Sequence, residues 1–122
     1  MIRTTQTLLI SGLLLLASVA VAGLAPGDKA PDFTLTDTEG EEHNLKAYLD
    51  EGMTVVLEWF NPDCPFIRKH HANHKTMNQI FAAVKGDGVA WLAINSNAEG
   101  KQGYGLKRNR MAIEEFEMTF PV

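Results

Sequence analysis

The sequence predicts an α/β domain in which two parallel strands are joined by a helical crossover. Residues 54–60 (TVVLEWF) and 89–95 (VAWLAIN) are apolar, β-branched and aromatic runs of strand length, and each is followed by a stretch of helical periodicity. Turn formers separate them: Asn61-Pro62-Asp63, Gly86-Asp87-Gly88 and the polar, glycine-containing segment 96–105. The resulting order is β-hairpin, short helix, β, α, β, α.

Ahead of that domain, no charged residue occurs between Arg3 and Asp28, and residues 7–22 are almost wholly apolar. Ala20-Val21-Ala22 supplies the small residues that a signal peptidase needs, so residues 1–22 read as a secretory signal peptide and the rest as an exported, periplasmic or extracellular chain. The other reading is an uncleaved anchor, because residues 8–25 nearly reach the roughly 18–20 apolar residues that span a bilayer. Only then would the protein touch a membrane. Residues 23–31 (GLAPGDKAP) are expected to be a linker, and residues 32–122 the domain.

Within the domain, residues 32–36 (DFTLT) alternate with period two, residues 38–40 turn, and residues 41–45 return, which predicts a short hairpin. Asn44 is placed to cap a brief helix through Tyr48 and Leu49 that stops at Gly52. The 54–60 run is apolar on both faces apart from Glu58, as in a central strand covered on two sides. Trp59 and Trp91 are accordingly expected in the core. Pro65 suits the first helical position, which makes Cys64 the N-cap, and Met77, Ile80, Phe81 and Val84 extend that helix to about residue 84 with one buried stripe. Residues 107–118 form the last helix, carrying Met111, Ile113 and Phe116.

The 122 residues allow one modest core, and a formal net charge of −4 argues against general nucleic-acid binding. A single cysteine excludes an intrachain disulfide and any multi-cysteine zinc or iron–sulfur site, and no cofactor is expected. Cys64 nevertheless stands where free N–H groups and the positive helix end favour a thiolate. It is therefore read as a reactive thiol rather than a small buried hydrophobe. Asp63 works against this, since an adjacent carboxylate opposes a second negative charge.

Glu58 faces away from Leu57 and Trp59, and burying it requires a partner or a proton. It either shuttles a proton for Cys64 or pairs with a Lys or Arg at a sheet edge. On an ideal helix His70 lies within about 20° of Met77 and His74 within about 20° of Phe81, so both are expected on the buried stripe. As an i, i+4 pair they offer a metal site, but core histidines are the preferred reading and no metal is assigned. His71 falls almost in line with Cys64 but roughly 10 Å along the helix. Arg68, one turn from Cys64, either favours the thiolate or is a solvated charge, and Lys69 and Lys75 are surface charge. Asn95-Ser96-Asn97 ends the second strand at its carboxyl edge, where ligand sites of open parallel sheets gather, and either lines the approach to Cys64 or is an ordinary turn.

Four blocks carry a resemblance: residues 27–35 (GDKAPDFTL), residues 59–70 (WFNPDCPFIRKH), residues 93–97 (AINSN) and residues 120–122 (FPV). In this order they resemble the thioredoxin-like redoxins, in particular the peroxiredoxin-like, AhpC/TSA-type branch, over nearly all of residues 26–122. The resemblance implies a three-layer α/β/α thioredoxin-like fold with an N-terminal hairpin, and a cysteine that attacks a disulfide or a peroxide. It also implies that the family's cis-proline loop, closing hairpin and final helix would lie beyond Val122, leaving a domain incomplete at its C-terminus. Two departures stand out. The residue three after Cys64 is Ile67 rather than a second cysteine, and Leu57 and Asn61 stand where typical peroxiredoxins carry the Pro and Thr or Ser of Pro-x-x-x-Thr/Ser-x-x-Cys.

The reading that follows is an exported thiol oxidoreductase with Cys64 as sole redox nucleophile and Glu58 as proton acceptor. Pro65, Arg68 and Asn95 are expected on the substrate approach. Its partners are a peroxide or disulfide substrate and an external thiol reductant. The alternatives are a copper-binding or assembly protein using Cys64 with nearby histidines, and a non-catalytic binding module of the same fold.

Overall fold

The computed structural model describes residues 23–122, so the proposed signal peptide lies outside the described residues. Residues 23–30 form an exposed turn closed by the Asp28 amide on the Ala25 carbonyl (3.0 Å) and by the Asp28 carboxylate on the Ala25 amide (2.7 Å). Residues 31–122 form a separate compact unit.

In that unit β1 (Thr34–Thr36) pairs antiparallel with β2 (Glu42–Asn44), and α1 (Leu45–Asp50) follows directly. Asn44 caps α1 as its sequence suggests, its side-chain oxygen accepting from the Ala47 amide (2.8 Å). β3 (Thr54–Trp59) and β4 (Val89–Ile94) pair in parallel, Thr54 opposite Val89 through Trp59 opposite Ile94. This is the crossover that the two apolar runs imply. One sheet face carries Val56, Phe60, Trp91 and Ala93 into a core completed by Ala112, Phe116, Met118 and Phe120. The chain end lies against β4, with the Ala93 amide donating to Pro121 O (2.9 Å) and the Thr38 amide to Val122 O (3.0 Å).

The long helix expected over residues 65–84 is broken. α2 (Pro65–Arg68) runs into a π-helical turn, Lys69–Asn73, closed by the His74 amide on the Lys69 carbonyl (3.0 Å). A π turn takes more residues per revolution than an α turn, so side chains beyond it are rotated from their ideal positions. Lys75 then takes a left-handed conformation (φ 49°) before α3 (Thr76–Val84) begins. The rephasing overturns the histidine expectation: His71 is fully buried, His74 is exposed, and His70 is half-buried.

Two further expectations fail for one reason, which face each residue occupies. Trp59 is 67% exposed because it shares with Leu57 the β3 face that the described residues leave open, whereas Trp91 is in the core. On α4 (Leu106–Phe116) the buried residues are Ala112 and Phe116, one turn apart, and Met111 lies outside their stripe.

Candidate active site

Cys64 stands at the junction between β3 and α2. Pro62 is fully buried and anchors the connecting turn. The Cys64 amide donates to Asn61 O (3.0 Å), and its carbonyl accepts from the Arg68 amide (2.9 Å). Its backbone is extended (φ −71°, ψ 127°), as an N-cap should be, but its side chain caps nothing. The half-buried thiol therefore carries no capping bond, and Pro65 is exposed at the first helical position.

The loop after β4 fixes the turn that presents this thiol. Asn61 Oδ1 accepts from the Asp63 amide (3.0 Å), and Asn61 Nδ2 donates to Asn97 Oδ1 (3.3 Å). Gln102 Nε2 donates to Asp63 O (2.8 Å). Gly103, at φ +77°, lies so close that a Cβ there would come within 2.1 Å of Asn61 Oδ1. Asn95 belongs to the same mesh, donating to Gly103 O (2.8 Å) and Asn109 Oδ1 (2.6 Å) while its Oδ1 accepts from the Asn97 amide (3.0 Å). It thus positions the loop and lines a cavity of about 430 Å³ with Leu35, His43, Leu92 and Leu106, which Cys64 does not line.

The charged residues beside the turn form an alternating chain. Arg108 places Nε and Nη2 at 2.8 and 2.7 Å from Asp63 Oδ1, and its Nη2 lies 3.6 Å from Glu115 Oε2. Glu115 Oε1 accepts in turn from Arg68 Nη2 (2.6 Å), and the Arg68 guanidinium lies over the Phe116 ring, 5.5 Å from its centre. The Glu115 hydrogen bond and charge push Arg68 above the usual guanidinium value.

Glu58 meets neither lysine nor arginine. Its Oε1 accepts from His71 Nε2 (2.6 Å) and its Oε2 from Trp91 Nε1 (3.0 Å), with all three side chains buried. We assign the imidazole proton to Nε2, because the carboxylate is there to accept it and Nδ1 has no hydrogen-bond partner. The ring stacks on Phe116 and meets Phe60 edge-on. His71 is thus committed to Glu58. Among the described residues no group of three His, Cys, Asp or Glu side chains is arranged to hold a metal ion.

The AhpC/TSA family model matches residues 26–122. The chain belongs to that family. Among curated proteins it is similar to the thiol-disulfide oxidoreductase ResA of Geobacillus kaustophilus, 32% identical over 99 residues, which is 81% of this chain and 51% of that protein. ResA of Geobacillus thermodenitrificans is 31% identical over the same shares. The chain thus spans about half the length of the curated relatives it matches. Among solved structures, a Chlorobium tepidum chain assigned as thiol:disulfide interchange protein DsbE aligns with TM-score 0.65 and 27% identity, covering 82% of this chain and 62% of that one. The thioredoxin domain of a Bacteroides vulgatus thiol-disulfide oxidoreductase aligns at 0.62 and 21%, covering 81% and 63%. The fold of this AhpC/TSA chain is thioredoxin-like.

The sequence places Cys64 at the N-cap and Glu58 in the interior, as the structure has them, but does not anticipate the Glu58–His71 pair, Arg108, Gln102 or the Asn61–Gly103 approach. A π turn and contacts across some 40 positions leave no periodic trace. Asn-Pro-Asp before Cys64 is the one local hint that the turn needs fastening.

Proposed function

We propose that this chain carries the redox centre of an exported thiol-disulfide oxidoreductase in which Cys64 is the sole nucleophile. The observation that carries the reading is the position of Cys64: half-buried at the strand-to-helix junction, its side chain uncommitted, on a turn held by Asn61 from within and by Gln102 from the loop after β4. In the reaction the Cys64 thiolate attacks one sulfur of a disulfide R–S–S–R′. A Cys64–S–S–R bond forms, the R–S–S–R′ bond breaks, and R′S⁻ leaves with the displaced electron pair. With Ile67 where a resolving cysteine would stand, an external thiolate R″S⁻ then attacks the R sulfur, forming R–S–S–R″ and returning the Cys64 thiolate. Exposed Phe66 (74% accessible) and Pro65 border the approach.

Disulfides are favoured over peroxides as substrates. Asn61, where typical peroxiredoxins carry a Thr or Ser hydroxyl, uses its side chain on Asp63 and Asn97, and Leu57 faces the open side of β3. The names of the ResA relatives agree with this choice. Glu58 is offered as a proton acceptor acting together with His71, because the two side chains are buried in hydrogen-bond contact and His71 Nδ1 has no partner. Export rests on the 1–22 segment alone.

The test is turnover of a small disulfide by the chain with glutathione as external thiol. Cys64→Ser should abolish it, and hydrogen peroxide should be consumed at least tenfold more slowly. Equal turnover by Cys64→Ser would overturn the reading, and faster peroxide consumption would overturn the choice of substrate.

A further inference from the structure

We infer that Arg108 is a positioning residue for Cys64, acting through Asp63: by ion-pairing that carboxylate it compensates a negative charge that would otherwise oppose the thiolate. The inference rests on the reading of Cys64 as nucleophile and adds what keeps its neighbour from suppressing it.

Asp63 precedes Cys64 directly, so a carboxylate and the sulfur stand on consecutive residues of the turn. A neighbouring like charge disfavours an anion, and a cation held on the carboxylate offsets that cost. Arg108 is held there by an Nε hydrogen bond to Asp63 Oδ1 (2.8 Å) with Nη2 2.7 Å from the same oxygen, and the side chains are only 22% (Arg108) and 31% (Asp63) exposed. This is tighter and drier than a surface pair of small worth. Its Nη2 also reaches Pro62 O (3.4 Å), so the guanidinium is oriented by the turn it serves.

Arg68, the other cation near the turn, feels the Asp63 charge through space but makes no ion pair with it. On the site helix, Arg68 is bound to Glu115 and lies over Phe116. Lys69 is exposed beyond it. On α4, Glu115 takes Arg68 and lies 3.6 Å from Arg108. The loop after β4 sends Gln102, which is uncharged, to the Asp63 carbonyl. In the chain Asp63–Arg108–Glu115–Arg68 the charges sum to zero. Without Arg108 the group is left with one negative charge in excess, and Asp63 loses its ion-pair partner and keeps only the more distant charge of Arg68.

A role confined to holding the turn predicts a different pattern, because removing the acid cannot rebuild a lost clamp. The experiment measures the second-order rate of Cys64 alkylation by iodoacetamide from pH 5 to pH 10. It uses the full chain and the variants Arg108→Met, Arg108→Lys, Asp63→Asn and the double variant Asp63→Asn/Arg108→Met. Arg108→Met should react about three- to tenfold more slowly at pH 7, with its profile moved to higher pH and its rate converging on wild type at pH 10. Arg108→Lys should retain most of the reactivity. The double variant should return to within about twofold of wild type, and Asp63→Asn alone should be at least as reactive as wild type, a comparison that stands even if Arg108→Met fails to fold. A double variant as slow as Arg108→Met, or an Asp63→Asn variant slower than wild type, would overturn the inference. If Cys64 in the native chain reacts no faster at pH 7 than in the urea-unfolded chain, the nucleophile reading fails instead, an outcome distinct from a reactive Cys64 that is indifferent to Arg108.

Discussion

At the scale of single residues, Glu58 shows how far a sequence carries chemistry and where it stops. Period two on β3 places Glu58 opposite Leu57 and Trp59, and desolvation requires a partner for it; both follow from the sequence. That the partner is His71 does not, because the π turn over 69–73 moves His71 inward and His74 out. Removing one member of a buried pair leaves the other's charge or lone pair stranded. His71→Phe should therefore destabilise the chain by about 3 kcal/mol in urea unfolding. Adding Glu58→Gln should recover at least about 1 kcal/mol, since a neutral amide costs less to bury than a carboxylate. Equal destabilisation in the single and double variants would mean that the ring matters only as packing against Phe60 and Phe116.

At the scale of elements, the hairpin, the Asn44-capped helix and the parallel strand pair are legible because each depends on a local cap or on a two-residue alternation. Asp32 reinforces α1 from outside the helix. The Lys46 amide hydrogen bond, with a further bond from Asn44, holds its carboxyl below the usual range against the opposing pull of burial. The 65–84 segment was not legible, because a π turn and a left-handed lysine carry no pattern of their own. What fixes that break is cross-chain: Lys75 pairs with Glu117, itself left-handed (φ 56°), and Asn78 Nδ2 donates to Phe116 O and Glu117 O, both 2.9 Å. The loop after β4 is fixed in the same way, by its approach to Asn61. Gly103→Ala combines a steric conflict with an unfavourable positive φ, so it should cost about 2 kcal/mol. It should also slow Cys64 alkylation, whereas Gly100→Ala, at a positive φ but in open space, should lose stability without that second effect. Equal alkylation rates in the two variants would separate the loop from the site.

At the scale of the whole 31–122 unit, long-range polar ties join the hairpin to the rest. Arg110 donates through Nε and Nη2 to Thr38 O (2.9 and 2.5 Å), and the Thr38 amide reaches Val122 O. Within the hairpin, Asp37 Oδ2 meets His43 Nε2 (3.0 Å), whose Nδ1 lies 2.6 Å from the Tyr48 hydroxyl. Burial raises the Asp37 carboxyl, but hydrogen bonds from His43 and from the Glu41 and Glu39 amides outweigh it, and the net direction is below the usual range. A carboxyl lowered in the folded state stabilises the fold above its unfolded value, near 4, and that stability is lost as the pH falls through the lower folded value. Asp37→Asn should thus flatten the fall in urea midpoint between about pH 4 and pH 2 while lowering the midpoint at pH 6. An unchanged acid slope would remove Asp37 from the account.

If Cys64 attacks disulfides without a resolving partner in this chain, its mixed disulfide accumulates and can be trapped. The reduced chain is mixed with a small symmetrical disulfide, quenched with acid and weighed intact. One adduct per chain is expected, located at Cys64, with one equivalent of thiol released and loss of the adduct when an external thiol is added. A chain that stays unmodified while the same disulfide reacts with its urea-unfolded form would contradict attack by Cys64.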